Sequence, residues 1–423
     1  MSSALLSAPS GTVSDRPFGP AVALSCRECG HTTELGPKFA CEECFGPLEI
    51  SYDFGTVTRE QIAAGPASIW RYAPLLPVPA DVAARPNTDP GWTRLVRAHN
   101  LGRELGLSNL YVKDDSGNPT HSFKDRVVAI AVEAARTFGY TTLSCSSTGN
   151  LAGAVGAAAA RAGLDACVFI PSNLEKEKIA VASVYGGRLV AIDGTYDEVN
   201  RFCSELIGDE LGEKWGFVNV NLRPYYAEGS KTLAYEIAEQ LGWRLPEQIV
   251  IPVASGSQLT KIDKGFRELV KLGLVEDTPY KVIGAQGSGC SPVSQAYRDG
   301  IDVIRPVRQP DTIAKSLAIG NPADGPYVLD IARRTGGAVE DVTDEQIRAA
   351  VKLLARTEGV FAETAGGVTV GVLKKLADEG RLDPDAVTVV INSGDGLKTL
   401  DAVSDCGPTA VIKPSLDAFR ATL

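Results

Sequence analysis

From Leu110 onward the chain repeats one unit: a short β-type run, a loop of small residues, and a helical stretch. Strands are expected at Thr141–Cys145, Ala166–Ile170, Arg188–Ile192, Phe217–Val220, Gln248–Ala254, Tyr280–Gln286 and Ala386–Ile391. Helices are expected at Val127–Phe138, Leu151–Ala162, Leu174–Val184, Tyr196–Leu211, Glu228–Leu241, Thr260–Leu272 and Asp344–Glu358. Such alternation predicts an α/β fold, with parallel sheets covered by helices on both faces. Open sheets of that kind place ligands in the loops after their strands.

With 423 residues the chain is long enough for two or three packed domains. A formal net charge of −10, spread along the chain, argues against nucleic acid as a partner, because a phosphate backbone demands a basic surface. The apolar run Leu151–Ala160 is too short to span a bilayer. Met1–Pro20 lacks the basic region and apolar core of a signal peptide, so a cytoplasmic protein is expected.

Nine cysteines divide into two groups. Cys26, Cys29, Cys41 and Cys44 form two Cys-x2-Cys knuckles, with glycine expected to relieve the turn after each second cysteine. Four thiolates give a closed tetrahedral site, so a structural zinc is expected, with an iron site or a metal-free ribbon as alternatives. Cys145, Cys167, Cys203, Cys290 and Cys406 are scattered and read as free thiols, most of them small buried residues.

Four loops carry candidate chemistry. Lys124 lies in Ser122-Phe123-Lys124-Asp125-Arg126, at the mouth of a helix, where a desolvated amine can act as a nucleophile. Ser147, Thr148 and Asn150 lie in Ser144–Asn150, before the next helix, where N–H groups and hydroxyls suit a carboxylate. Ser255, Gly256, Ser257, Gln258 and Leu259 follow a strand and open a helix, which makes a phosphate cradle. Ser393 begins Ser393-Gly394-Asp395-Gly396-Leu397-Lys398 after another strand. Asn221 and Arg223 offer an amide and a planar fork to a further phosphate. The three histidines are too dispersed for a metal site, although His121 is close enough to Lys124 to line a pocket.

In this order the motifs resemble those of threonine synthase, a family of the fold-type-II enzymes that use pyridoxal 5′-phosphate. The resemblance runs from about Ala73 to the C-terminus and includes Ala314–Pro322 and Ala362–Gly367. It implies that Lys124 bonds the cofactor beside Phe123 and that Asn150 meets the ring oxygen. It also implies that Ser255–Leu259 holds the cofactor phosphate and that Ser393 faces the ring nitrogen. Many family members carry Thr-Gly-His-Gly-Leu-Lys where this chain has Ser393 and Asp395. The implied reaction converts O-phospho-L-homoserine and water to L-threonine and phosphate. Cysteate synthase and threonine or serine dehydratase are the alternatives. The expected layout is a zinc ribbon over residues 20–55, a Pro-rich linker at Arg71–Pro90, and two α/β domains at residues 91–225 and 226–423 with the cofactor in the cleft. A homodimer acting on small molecules, without membrane or nucleic acid, is expected.

Overall fold

The computed structural model describes residues 16–147, 149–172, 179–180, 183–194 and 196–423. Thr148, the first fifteen residues and most of the Leu174–Val184 helix expectation lie outside them.

Thirteen strands among the described residues form three sheets. Strands β1 (Ala21–Cys26), β2 (Thr32–Thr33) and β3 (Leu48–Tyr52) make a small antiparallel sheet with β1 in the middle. Later come β4 (Arg94–Arg97), β5 (Leu110–Asp114), β6 (Thr142–Ser146), β7 (Asp165–Pro171) and β8 (Arg188–Ile192). They are followed by β9 (Trp215–Phe217), β10 (Gln248–Pro252), β11 (Lys281–Gly287), β12 (Ala338–Val342) and β13 (Thr388–Asn392). One sheet is parallel throughout, in the order β8-β7-β6-β9. The other has the order β12-β11-β10-β13-β5-β4, parallel except for the edge strand β4. The fold is therefore the expected α/β arrangement with two parallel sheets.

The division of the chain differs from the expected one. Strands β4 and β5 fall before residue 225, yet they complete the sheet built by the C-terminal half. Leu110 and Val112 are fully buried there, so the apolar pattern of β5 is met by β13 and not by β6. The expected linker is also part of the core. Tyr72, Leu75, Leu76, Val78 and Val82 are buried, and Arg71 and Tyr72 both bind Glu239. The expected strand at Phe217–Val220 stops at Phe217, because the Phe217 carbonyl accepts from Val220 and Leu222 and turns the chain.

The helix Lys124–Thr137 carries an unbroken apolar run from Val127 to Val132, every residue at no exposure. A helix that is apolar all round over such a run belongs inside. It packs against the helices Asn150–Ala162 and Arg223–Glu228. No described helix is long and apolar enough to cross a membrane.

Candidate active site

Three successive residues at the mouth of that helix go to three different places. Lys124 is half-buried, and its Nζ lies 3.4 Å from the Tyr226 hydroxyl and 5.2 Å from the Phe123 ring centre. Asp125 turns back to accept from the Thr120 N–H at 2.8 Å and the Thr120 hydroxyl at 2.7 Å. Burial pushes its carboxyl pKa up, against those donors. Arg126 enters the core and pairs with Asp115 and Glu236. Burial also pushes up the pKa of the Tyr226 hydroxyl beside Lys124, which keeps it neutral.

The loop before Lys124 is joined to the loop after β13. The Phe123 N–H donates to the Ser393 carbonyl at 2.8 Å, and the Asp395 N–H donates to the His121 carbonyl at 3.1 Å. His121 itself is exposed, with a left-handed φ of 62°. This pairing carries Ser393 to the base of the Lys124 loop. The Ser393 hydroxyl donates to Glu363 Oε1 at 2.8 Å, and Asn150 Nδ2 donates to Glu363 Oε2 at 2.8 Å. Lys398 Nζ donates to Asn150 Oδ1 at 3.0 Å and so fixes which way the amide points. Burial lowers the pKa of Lys398, while Glu363, Asp125 and Asp395 oppose that shift.

The Ser255 loop closes the opposite side. Gly256 caps the helix Ser257–Lys271 at φ 98° and brings no side chain to its first N–H groups. A Cβ there would lie 2.8 Å from Val328 and 3.0 Å from Asp324, so the position demands glycine twice over. Gln258 Nε2 is buried without a partner among the described residues. Asp324 donates its N–H to the Ser255 carbonyl at 2.8 Å, and its carboxylate accepts from Arg223 Nη2 at 2.9 Å. Arg223 and Tyr226 share one short helix, so the contacts link Lys124, Tyr226, Arg223, Asp324 and Ser255 in turn.

Two expected substrate contacts have other duties. Asn221 is buried; its Oδ1 accepts from Phe217 N–H at 2.8 Å, and its Nδ2 donates to Trp215 O at 3.1 Å and Tyr140 at 3.3 Å. It holds the turn after β9, a geometry that does not favour a phosphate contact. The Ser147 hydroxyl accepts from Gly149 and Ala152 N–H, both at 3.2 Å, and braces the start of the Asn150 helix. Thr148 lies outside the described residues.

Glu363, Tyr226, Asp324 and Lys398 were not singled out from sequence. Glu363 and Lys398 stand inside stretches noted above, but a buried carboxylate that bridges two loops leaves no local signature.

The cysteines Cys26, Cys29, Cys41 and Cys44 converge, with all four Sγ atoms within 4.8 Å of one another. Glu28 and Glu43 N–H groups point at Cys26 and Cys41 Sγ, each at 3.4 Å. Gly30 takes the expected left-handed turn at φ 73°, but Phe45 does so after Cys44, at φ 61°. Gly46 is needed for space instead, since a Cβ there would come within 2.8 Å of Cys26 Sγ. The arrangement is compatible with a structural zinc.

A family model described as pyridoxal-phosphate dependent enzyme matches residues 87–394. Over 382 residues the chain is 37% identical to the threonine synthase of Methanocaldococcus jannaschii, covering 89% of this chain and 93% of that one. It is 36% identical to the threonine synthase of Methanosarcina acetivorans, covering 95% and 98%. The fold also resembles the processed threonine deaminase isoform 2 of Solanum lycopersicum, with TM-score 0.62 and 22% identity over 77% of this chain and 86% of that one.

Proposed function

We propose that this chain, which belongs to the pyridoxal-phosphate dependent enzyme family, is a threonine synthase that converts O-phospho-L-homoserine and water to L-threonine and phosphate. The observation that carries the site reading is the pair of contact runs that meet at the Lys124 loop. They gather an amine, an amide, a hydroxyl and a helix N-terminus whose cap residue brings no side chain, from four loops far apart in sequence.

That donor set fits pyridoxal phosphate. Lys124 would bond it, Asn150 would meet its ring oxygen, and Ser393 its ring nitrogen. The phosphate would sit on the Ser255–Leu259 loop, where the Gly256 cap and Gln258 Nε2, without a partner among the described residues, favour an anion. When bound, the cofactor supplies an electron sink for charge that develops on the substrate carbons.

The chain's own residues supply positioning and proton movement. Lys124, once its amine is released, takes and returns a proton at the substrate Cα. Tyr226, neutral and in reach of Nζ, orients that amine. Lys398 orients Asn150, and Glu363 holds Asn150 and Ser393 in register. Arg223 offers a bidentate fork to the substrate phosphate. We further read the enzyme as a cytoplasmic homodimer with no nucleic-acid partner.

The test is a substrate panel on the purified enzyme, with phosphate release and amino-acid products measured together. Threonine and phosphate from O-phospho-L-homoserine are expected, with O-phospho-L-serine plus sulfite much poorer. The two substrates differ by one methylene, which alone discriminates by only about 10–200-fold. Preference for phosphoserine with sulfite would make the enzyme a cysteate synthase, and preferred conversion of L-threonine to 2-oxobutyrate and ammonia would make it a dehydratase.

A further inference from the structure

The Arg223–Asp324 pair has a third member, and it comes from the cysteine knuckle. Arg27 lies between Cys26 and Cys29, and its Nη1 is 3.7 Å from Asp324 Oδ1. Arg223 holds the other carboxylate oxygen at 2.9 Å. Arg27 also stacks over Tyr327, 3.5 Å from the ring centre, and its Nη1 is 3.5 Å from Glu49 Oε1. The Tyr327 hydroxyl donates to Glu28, the residue after Arg27. The guanidinium is thus held by a ring on one side and carboxylates on the other. Asp324 has a side chain only 8% exposed, so it needs a cation at all times.

A substrate phosphate that claims the fork of Arg223 must take it from this carboxylate. We propose that Arg27 is a positioning residue for the phosphorylated substrate: it retains Asp324 while Arg223 turns from the carboxylate to the phosphate. The inference rests on the reading of Arg223 as a phosphate ligand. Without Arg27, the buried carboxylate and the incoming phosphate compete for one fork, and the carboxylate is already in place. The cysteine knuckle is then more than a fold support, because it carries the second cation of the anion end of the cleft.

The test compares Arg27→Ala, Arg223→Ala and the double variant Arg27→Ala/Asp324→Asn as holoenzymes. Arg27→Ala should raise the KM for O-phospho-L-homoserine about tenfold and leave kcat within about twofold, a coupling of ordinary size. The Kd for inorganic phosphate, measured by calorimetry, should rise in parallel. Adding Asp324→Asn removes the competing charge and should restore both. A ribbon damaged by the substitution would lower Tm, and Asp324→Asn would not restore KM. That outcome overturns the proposal. Unchanged KM and phosphate affinity in Arg27→Ala, with both weakened in Arg223→Ala, overturns this inference and leaves the phosphate pocket standing. No effect of Arg223→Ala on either overturns the pocket and the inference together.

Discussion

Arg126 and Glu363 are both buried, and their charges are met in opposite ways. Arg126 binds Asp115 through Nε and Nη2, both at 2.8 Å, and Glu236 through Nη1 and Nη2 at 2.5 and 2.8 Å. Lys113 adds its ammonium to Glu236 at 2.6 Å, and Thr93 and Thr232 take the remaining donors. Two bases and two acids cancel, and every hydrogen bond of the guanidinium is used. Glu363 is met by a hydroxyl and an amide, while the Lys398 ammonium spends its hydrogen bonds on Asn150 and the Thr120 carbonyl. A saturated ionic cluster cannot trade partners without stranding a charge. A carboxylate held by neutral donors can share them with a ligand at small cost. The first cluster is a fixed footing for the Lys124 helix, and the second is a face able to receive something.

If that contrast is right, substitutions should separate chemistry from stability. The largest effect belongs to Lys124→Ala. Turnover should fall by about 10⁴-fold or more, the visible absorbance of bound cofactor should vanish, and the denaturation midpoint should hold. Borohydride reduction and peptide mapping of the wild type should label Lys124, and a label on another lysine would undo the site. Next comes Arg126→Met, which strands Asp115 and leaves Glu236 with Lys113 as its ion-pair partner. It should cost about 3–5 kcal/mol in a urea titration, with the active fraction keeping its absorbance. The same cluster predicts an acid limb. Burial alone would raise the pKa of Glu236, but Arg126 and Lys113 outweigh it and hold the group at about 2. A depressed carboxylate stabilises the fold above its unfolded pKa of about 4.3, and that contribution is lost as pH falls toward 2. Arg126→Met should flatten this limb; an unchanged limb would mean the footing is not ionic.

A smaller effect is expected at Glu363→Gln, where one new N–H must face a donor. Cofactor retention, followed by absorbance on dilution, should weaken by about 1–3 kcal/mol with little change in the urea midpoint. Loss of stability without loss of retention would erase the distinction between the clusters. The smallest effect on the bound cofactor belongs to Cys26→Ser. Bound zinc should fall from one equivalent while the visible band stays. Equal metal in both proteins would place the metal elsewhere or nowhere.

The parts legible in the sequence are those with a local cause. Strand-to-helix turns need small residues, so the Lys124, Asn150, Ser255 and Ser393 loops stand out, and β8 and the Asp344–Glu358 helix have the expected bounds. The illegible parts depend on partners distant in sequence. Lys124, Asp125 and Arg126 are one motif on paper and three environments in the fold. Asn221 looks like a free amide until Phe217 and Trp215 use it. Arg71–Pro90 looks like a linker because prolines interrupt it, yet its Tyr72, Leu75, Leu76, Val78 and Val82 are core. The pairing of β5 with β13 cannot be read from either strand, since each is a short apolar run that would suit several neighbours.

That pairing reaches beyond the finished molecule. β13 lies between β10 and β5, with Leu110 opposite Thr388. During synthesis, the residues between those two take roughly 14–56 s to appear, at about 5–20 residues per second. Over that interval β5 has β4 on one edge and no permanent neighbour on the other. An apolar strand with an open edge invites pairing with other nascent chains. The sheet closes from its centre and last, so a ribosome that stalls before residue 388 releases a product with its main sheet in two pieces. Such a chain needs a chaperone or a protease, and no shortened version ending before β13 should accumulate as a folded protein.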